Sequence, residues 1–361
     1  MKDLTTTVFK PIYLTFLIMG FLASSTTSFA QIGGENVYEF LTLPNTARVT
    51  ALGGMLISVK DDDAALALQN PAVLNDAMSG QISFSHSFYL ADIEAGYVSF
   101  AKKLGKFNYF SGLQYISYGD FQLADETGLV TGEFSAGEYA LTLGMGHQYS
   151  ENLSFGASLK AINSRFETYQ SMGIGADLGA TYQDTSKRFV IGFVIKNLGT
   201  QLSTYSGNAS ESMPFDIQLA FSKRLKHLPF RYTFTFHNLH RWNIRYDDPN
   251  VDAAQVLFGE EVAQETNAEA FADIFFQHII LSGEFLLGRK QNFRLRFAYN
   301  HARRRELMVD NTLGLMGFSL GFGLKVNRFR IDFGRGVYHL AGNNNHLSIS
   351  TNLSEFKRKK K

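Results

Sequence analysis

Alternation of apolar and polar residues over strand-length segments is the feature that most constrains this chain. From Gln81 onward the pattern recurs with a period of two, as between Met172 and Gln183, where large apolar residues alternate with small or polar ones. Successive side chains of a β-strand point to opposite faces of a sheet, so each segment has one apolar and one polar face. A soluble β-sandwich alternates in the same way, so alternation alone leaves the location of the apolar face open.

Three further features favour lipid as the surroundings of the apolar face. The segments run about ten residues or more, close to the length that a tilted strand needs to cross a bilayer. Aromatic residues such as Tyr139 and Tyr149 lie near segment ends, as in the aromatic girdles of membrane barrels. The polar faces include charged pairs such as Arg294 and Arg296, which a water-filled lumen tolerates better than a dry sandwich core.

The connections between segments predict a closed antiparallel barrel. Residues 81–356 divide into about fourteen strands, and every second link is a tight turn, whereas the intervening links include long ones at 119–135, 198–212, 241–273 and 303–311. Short periplasmic turns and long extracellular loops are typical of outer-membrane barrels, and an even strand number returns both termini to the periplasm. We therefore predict an all-β transmembrane barrel in a bacterial outer membrane.

Composition agrees with this fold and excludes several function classes. The chain has 33 Phe, 16 Tyr and 32 Gly but only 6 Pro and no Cys, which suits a curved sheet and excludes disulfides and thiolate metal sites. The formal net charge of +1 argues against a nucleic-acid partner. The residues predict no cofactor and no metal.

The two ends of the chain are expected to lie outside the barrel. Residues 1–30 combine Lys2 and Lys10 with an apolar run and a small-residue cleavage site, which predicts a signal peptide; the alternative, a membrane anchor, would need a longer apolar run. The basic residues 357–361 predict a solvated periplasmic tail, with electrostatic contact to a partner or to anionic lipid as the alternative.

Residues 31–80 do not alternate and are predicted to form a small helical plug inside the lumen. Three consecutive aspartates precede a predicted short helix at Ala64 to Gln69, where acids favour the helix amino terminus. Asn70 and Pro71 end that helix, because the residue before a proline avoids the α region. A fourteen-strand lumen is wider than side chains alone can fill. We therefore expect the aspartates and Arg48 to contact the polar wall of the barrel.

The link at 241–273 is rich in acids, and part of it, Val251 to Phe271, has the periodicity of an amphipathic helix. It is either a solvated surface loop or an element that docks a partner. The candidate residues for partner binding are Trp242, Asp247, Asp248, Glu260 and Glu261.

A search for catalytic motifs predicts no enzyme. Gly317 to Gly321 matches the nucleophile-elbow pattern Gly-x-Ser-x-Gly, which requires a strand turning sharply into a helix. Here the pattern lies inside a predicted strand, so these glycines and Ser319 are expected to be a small-residue strand face.

The plug segment resembles the amino-terminal hatch of the PorV/PorQ group of the type IX secretion system, which in turn resembles the FadL family of fourteen-strand outer-membrane barrels. The resemblance is carried by Phe40 to Pro44, by Ala51 to Gly54, by Asp62 and Asp63, and by Asn70 to Ala72. Within the group the chain is more similar to the PorQ type than to the PorV type. The motif residues of the predicted hatch are Arg48, Gly53, Gly54, Asp62, Asp63, Asn70 and Pro71.

The resemblance implies a non-enzymatic barrel of the attachment complex that fixes secreted cargo to the cell surface. Its implied partners are a PorZ-like surface protein, the complex members PorU and PorV, membrane lipid and lipopolysaccharide. The alternative function is FadL-like transport of small hydrophobic molecules, which needs an apolar pocket. A third alternative, an outer-membrane hydrolase, needs an adjacent Ser and His near the rim, and the spacing reveals no such pair.

Overall fold

A single closed barrel of fourteen antiparallel strands makes up most of the protein, with β1 paired to β14. The computed structural model describes residues 36–89, 92–207, 210–245, 266–307, 315–339 and 342–356. The predicted signal peptide and basic tail lie outside these residues. The predicted fold class is confirmed. The strands are β1 (Gln81–Phe88), β2 (Glu94–Leu104), β3 (Phe107–Ala124), β4 (Val130–Gln148), β5 (Leu153–Phe166), β6 (Tyr169–Asp184), β7 (Phe189–Ser203), β8 (Asp216–Arg224), β9 (Phe230–Phe236), β10 (Ile279–Leu287), β11 (Phe293–Asn300), β12 (Phe318–Val326), β13 (Phe329–His339) and β14 (Gly342–Asn352).

Alternation along the strands separates an apolar outer face from a polar lumen. On β6, Ile174 and Leu178 point outward and are 45% and 47% exposed, whereas Asp177 between them points inward and is fully buried. An apolar belt of this kind around a polar interior is the build of a transmembrane barrel. In the part of the chain that the structure describes, no helix is long and apolar enough to cross a membrane.

The two rims of the barrel differ in their connections. One rim, the short-turn end, carries the connections at 105–106, 149–152, 185–188, 225–229, 288–292 and 327–328. The first strand, β1, begins at this rim and the last strand, β14, ends there. The other rim, the long-loop end, carries the connection between β9 and β10, which includes the helix α2 (Asn267–Gln277). It also carries α3 (His301–Leu307), which follows β11.

Residues 36–78 form the plug, which consists of short helices and turns as predicted. Its one α-helix, α1 (Ala47–Ala51), is capped by the Thr46 hydroxyl, which accepts a hydrogen bond from the Val49 amide. The Asp63 carboxylate caps the next helix in the same way. The 3-10 helices of the plug are Glu39–Thr42, Ala64–Leu68, Pro71–Val73 and Asp76–Met78.

The plug lies in the lumen because glycines of the wall leave room for its backbone. A Cβ atom on Gly156 would lie 2.3 Å from the carbonyl carbon of Pro71, and one on Gly334 would lie 2.1 Å from the Ala47 oxygen. Leu56 and Ile57 of the plug are fully buried. Burial of each such side chain contributes about 1.5–3 kcal/mol, which favours the docked plug.

Three boundary predictions are wrong, each at the long-loop end. The predicted loop 119–135 is largely sheet, because β3 and β4 continue as a paired hairpin with a register shift between Ser117 and Asp120. The predicted loop at 198–212 begins later, since β7 continues to Ser203. The predicted helix Val251 to Phe271 is confirmed for residues 267–271, but it continues to Gln277 instead of ending at Phe271, and Thr266 and Glu269 form a capping box at its start. Residues 251–265 of that prediction lie outside the described part of the chain.

Candidate functional site in the lumen

Arg48 is the centre of an ion-pair network that joins the plug to the barrel wall. Its guanidinium lies 2.7 Å from the Asp61 carboxylate and 3.0 Å from that of Asp63, both in the plug. It also lies 3.1 Å from the carboxylate of Glu284 on β10. Arg48 and Glu284 are almost completely buried, so water screens the attraction weakly. The plug is therefore held by charge as well as by apolar packing.

The network continues along the wall toward the short-turn end. Arg296 bridges Glu284 at 2.8 Å and Asp332 at 2.6 Å, and Arg330 contacts Asp62 of the plug at 2.7 Å. Positive and negative groups balance, which a buried cluster requires because an uncompensated charge away from water is strongly unfavourable. The cations are Arg48, Arg231, Arg294, Arg296 and Arg330, and the anions are Asp61, Asp62, Asp63, Glu284 and Asp332.

The remaining residues of the predicted hatch motif are structural parts of the plug. Gly53 and Gly54 have φ of 90° and 100°, a region that favours glycine, and they end α1. The Asn70 side chain accepts a hydrogen bond from the Ala72 amide and donates to Ile57 and Thr181. Pro71 is the first residue of its 3-10 helix. The motif thus shapes the plug and joins it to the wall.

Part of the lumen nearer the long-loop end is apolar, and it lies beside buried charged groups such as Glu138 and the ion pair of Lys160 with Asp177. Plug residues Tyr38, Phe40 and Leu41 pack there against inward-facing wall residues such as Ile116 and Ile162. The backbone oxygen of Phe40 accepts a 2.8 Å hydrogen bond from Gln114. We call this region the upper chamber; it is lined by Val37, Tyr38, Phe40, Leu41, Ala95, Ile116, Ala140, Ile162 and Met213, with Leu43, Tyr89, Ile93, Tyr118 and Tyr205 at its edge.

Trp242, the candidate for partner binding, lies at the long-loop end beside α2. Its ring centroid lies 5.5 Å from that of Phe271 and 5.4 Å from that of His278, and its side chain is 53% exposed. Together with Phe276, which is 52% exposed, these rings give the rim an aromatic surface. The other candidates in this link, Asp247, Asp248, Glu260 and Glu261, lie outside the described residues.

Asp273 of α2 joins three segments at this rim through hydrogen bonds and ion pairs. Its carboxylate accepts hydrogen bonds from Arg245 at 2.9 Å and from His301 at 3.0 Å, and Arg305 lies 3.1 Å away. Burial by itself would raise the pKa of Asp273, but the hydrogen bonds from His301 and Arg245 and the charge of Arg305 outweigh it. The pKa of Asp273 therefore lies below its usual range.

Sequence reasoning found the plug side of the ion-pair network and placed Arg294 and Arg296 of the wall on a polar strand face, but it did not single out Glu284 or Arg330. Glu284, Arg296 and Arg330 are charged residues that alternate with large apolar ones inside strands, and this is the signal that places them in a lumen. The pattern does not reveal which plug residue each of them contacts. Ser319 lies on an inward strand face as predicted, but Gly317 lies in the turn before β12 with a φ of 80°, so the prediction that the whole Gly-x-Ser-x-Gly pattern lies inside a strand is wrong. The pattern still lacks the turn from strand into helix that a nucleophile elbow requires.

The fold and the lumen together define a plugged fourteen-strand barrel of the outer-membrane type. No family model matches the sequence. No curated protein matches it either. Solved structures do match, and they share its fold.

A crystal structure of the Pseudomonas putida toluene transporter TodX aligns with a TM-score of 0.53 at 14% identity, covering 87% of this chain and 99% of that one. A second TodX structure aligns with a TM-score of 0.50 at 14% identity, covering 85% and 96%. A Pseudomonas aeruginosa FadL homologue also matches, with a TM-score of 0.47 at 10% identity over 89% and 100% of the two chains. The fold of this chain is that of the TodX barrels.

Proposed function

We propose that this protein is an outer-membrane channel for small hydrophobic molecules, closed at rest by its plug. The observation that carries the proposal is the upper chamber, an apolar and aromatic region at the long-loop end in which Val37, Tyr38, Phe40 and Leu41 of the plug pack against the barrel wall. Apolar lining with a few polar groups is typical of small-molecule sites. The fold is shared with a protein described as a toluene transporter, which supports the same reading.

In this proposal the long-loop end faces outward and the short-turn end, with both termini of the barrel, faces the periplasm. A hydrophobic molecule enters the upper chamber by displacing side chains such as Phe40 and Leu41. The charged network below it keeps the lumen closed to ions and water until the plug rearranges. The order of these steps follows from the chemistry of the two regions, since an apolar solute gains nothing from contact with the ion-pair network.

Uptake of labelled toluene by cells that carry the protein tests this function. The double variant Ile116→Thr with Ile162→Thr replaces two apolar side chains of the upper chamber by smaller polar ones and is expected to reduce uptake. Val194→Thr introduces a hydroxyl at a buried lumen position outside the upper chamber and serves as the control for buried polarity. Equal uptake by cells with and without the protein would refute the proposal.

A second candidate function is anchoring of the type IX attachment complex, with a PorZ-like protein, PorU, PorV and lipopolysaccharide as partners. It is favoured by the hatch motif from Phe40 to Ala72 and by the aromatic surface of Trp242, Phe271 and Phe276 at the outward rim. Exposed aromatic groups of this kind are enriched at protein interfaces. Deletion of the gene separates the two functions: loss of cargo attachment with normal toluene uptake would favour anchoring, and the reverse would favour the channel.

A further inference from the structure

A groove crosses the lipid-facing wall of the barrel from β2 to β6. It has a volume of about 620 Å³ and is almost entirely apolar. The side chains of Leu143, Met145 and Leu159 border it and are exposed on the outer face, so the groove opens to lipid instead of the lumen. This volume falls within the range of about 300–1,000 Å³ that is usual for small-molecule sites.

Strand register explains the shape of the groove. Its lining residues form two rows, each crossing five neighbouring strands on the outer face. Ser111, Ala157 and Ala176 are small and make the floor, while the larger side chains around them make the borders. Four strand spacings of about 4.8 Å give a length of about 19 Å, which suits an extended acyl chain. The rows are Phe100, Ser111, Leu143, Leu159 and Ala176, and Lys102, Tyr109, Met145, Ala157 and Leu178.

The groove has a polar end and an apolar end. Lys102 and Tyr109 are paired across β2 and β3, and Lys102 lies two residues before the end of β2 at Leu104, close to the short-turn rim. Leu178 at the other end lies six residues before the end of β6 at Asp184, nearer the middle of the barrel wall. The groove therefore runs from the membrane surface toward the membrane interior.

The polar end offers a cation for an anionic group. The neighbouring Lys103 is already paired with Asp76, whereas no ion pair engages Lys102 within the described ranges. Lys102 is exposed on the lipid side, and its cross-strand neighbour Tyr109 lines the same groove. A lysine and a tyrosine at this depth lie where lipid phosphate groups are found, and both residue types favour the membrane interface.

We propose that this groove is a binding site for one glycerophospholipid. Its phosphate contacts Lys102 and Tyr109, and one acyl chain follows the floor of Ser111, Ala157 and Ala176. The site is independent of what the lumen carries, so it stands or falls separately from the proposed channel function. It differs from ordinary lipid contact because the bound chain lies below the surface of the surrounding side chains.

Native mass spectrometry of the full barrel purified from outer membranes in mild detergent tests the site. The parent protein is expected to retain one phospholipid. Ala176→Phe fills the floor and is expected to lose it, whereas Ala180→Phe places the same ring on the same strand and face outside the groove and should retain it. Folding of each variant is checked by the shift between heated and unheated samples on a denaturing gel.

The headgroup assignment is tested with delipidated barrel and two probes, dioleoyl phosphatidylglycerol and dioleoylglycerol, which lacks the phosphate. The parent should bind the phosphate-bearing probe more tightly, and Lys102→Gln should abolish that difference. Four results would overturn the proposal: no lipid on the parent, bound detergent only, equal retention by Ala176→Phe and Ala180→Phe, or a dimer that Ala176→Phe dissociates. The last result would make the groove an interface between two copies of this chain.

Discussion

Replacement of Arg48 by methionine should release the plug, because it leaves the buried network with one uncompensated negative charge. Arg48 is 1% exposed and contacts three carboxylates, those of Asp61, Asp63 and Glu284. Removing one partner from a buried ion pair typically destabilises by about 3–5 kcal/mol. At about 1.4 kcal/mol per factor of ten, the population of barrels with an undocked plug should rise by about 10² to 4 × 10³-fold.

The absence of cysteine from the chain provides a clean assay. Ser58 of the plug is fully buried, and its hydroxyl has no hydrogen-bond partner in the described part of the chain, so Ser58→Cys is a nearly isosteric probe. The rate at which a thiol reagent modifies it in membrane vesicles reports the undocked population. A thiol at the exposed residue Thr131 serves as the reference for reagent access.

The double variant Arg48→Met with Glu284→Met is the decisive control. It removes one charge of each sign and leaves a balanced network with apolar side chains in the gap, an exchange that is often neutral or stabilising. Its labelling rate should lie within about tenfold of the parent rate. If Arg48→Met labels at the parent rate, or if the double variant labels as fast as the single one, charge balance does not hold the plug.

Three further predictions concern the rim, the wall and pH. Asp273→Asn should weaken the contacts that hold α2 at the rim and shift the emission maximum of Trp242, the only tryptophan of the chain. An unchanged spectrum would contradict the role of Asp273 in holding α2. Gly156→Ala places a Cβ against the plug backbone and should destabilise the docked plug by about 1–3 kcal/mol, whereas Gly132→Ala has open space and should not, as measured by urea unfolding. Burial opposes ionisation of Asp61, but the neighbouring arginines lower its pKa well below 3.8, so its stabilising contribution is complete above that pH and lost only as pH falls through the lowered pKa. The labelling rate of the buried thiol, corrected with the exposed reference, should therefore be the same at pH 7 and pH 5.

The strands could be predicted from sequence because each one has its own local alternation of apolar and polar residues. A period of two fixes which side chains face lipid, and the same signal places Asp177 and Arg296 in the lumen. The hairpin beyond residue 117 escaped prediction because it extends into solvent. Asp120 and Gln122 lie on one face and Phe121 and Leu123 on the other, and all four are exposed, so no buried face marks this segment as a strand.

The plug-to-wall contacts could not be predicted, because they depend on distances along the chain that no local pattern encodes. Arg48 and Glu284 are 236 residues apart, and Asp62 and Arg330 are 268 residues apart. Which strand faces a given plug residue depends on how the closed sheet is staggered and where the plug enters it. Charge alternation identified candidate groups on each side, and only the fold pairs them.

Different residues of the plug make the apolar contacts and the ionic contacts with the barrel wall. The apolar side chains of Val37, Tyr38, Phe40 and Leu41 pack in the upper chamber, while Arg48, Asp61 and Asp62 bind charged residues of the wall below. In the proposed channel, a hydrophobic molecule that displaces Phe40 would leave these ion pairs intact, because none of them involves a residue of the upper chamber. Occupation of the chamber and release of the lower plug are therefore distinct steps with distinct chemistry. A ligand can bias the second step only if it binds better when the plug is undocked, since a ligand with equal affinity for both states shifts neither.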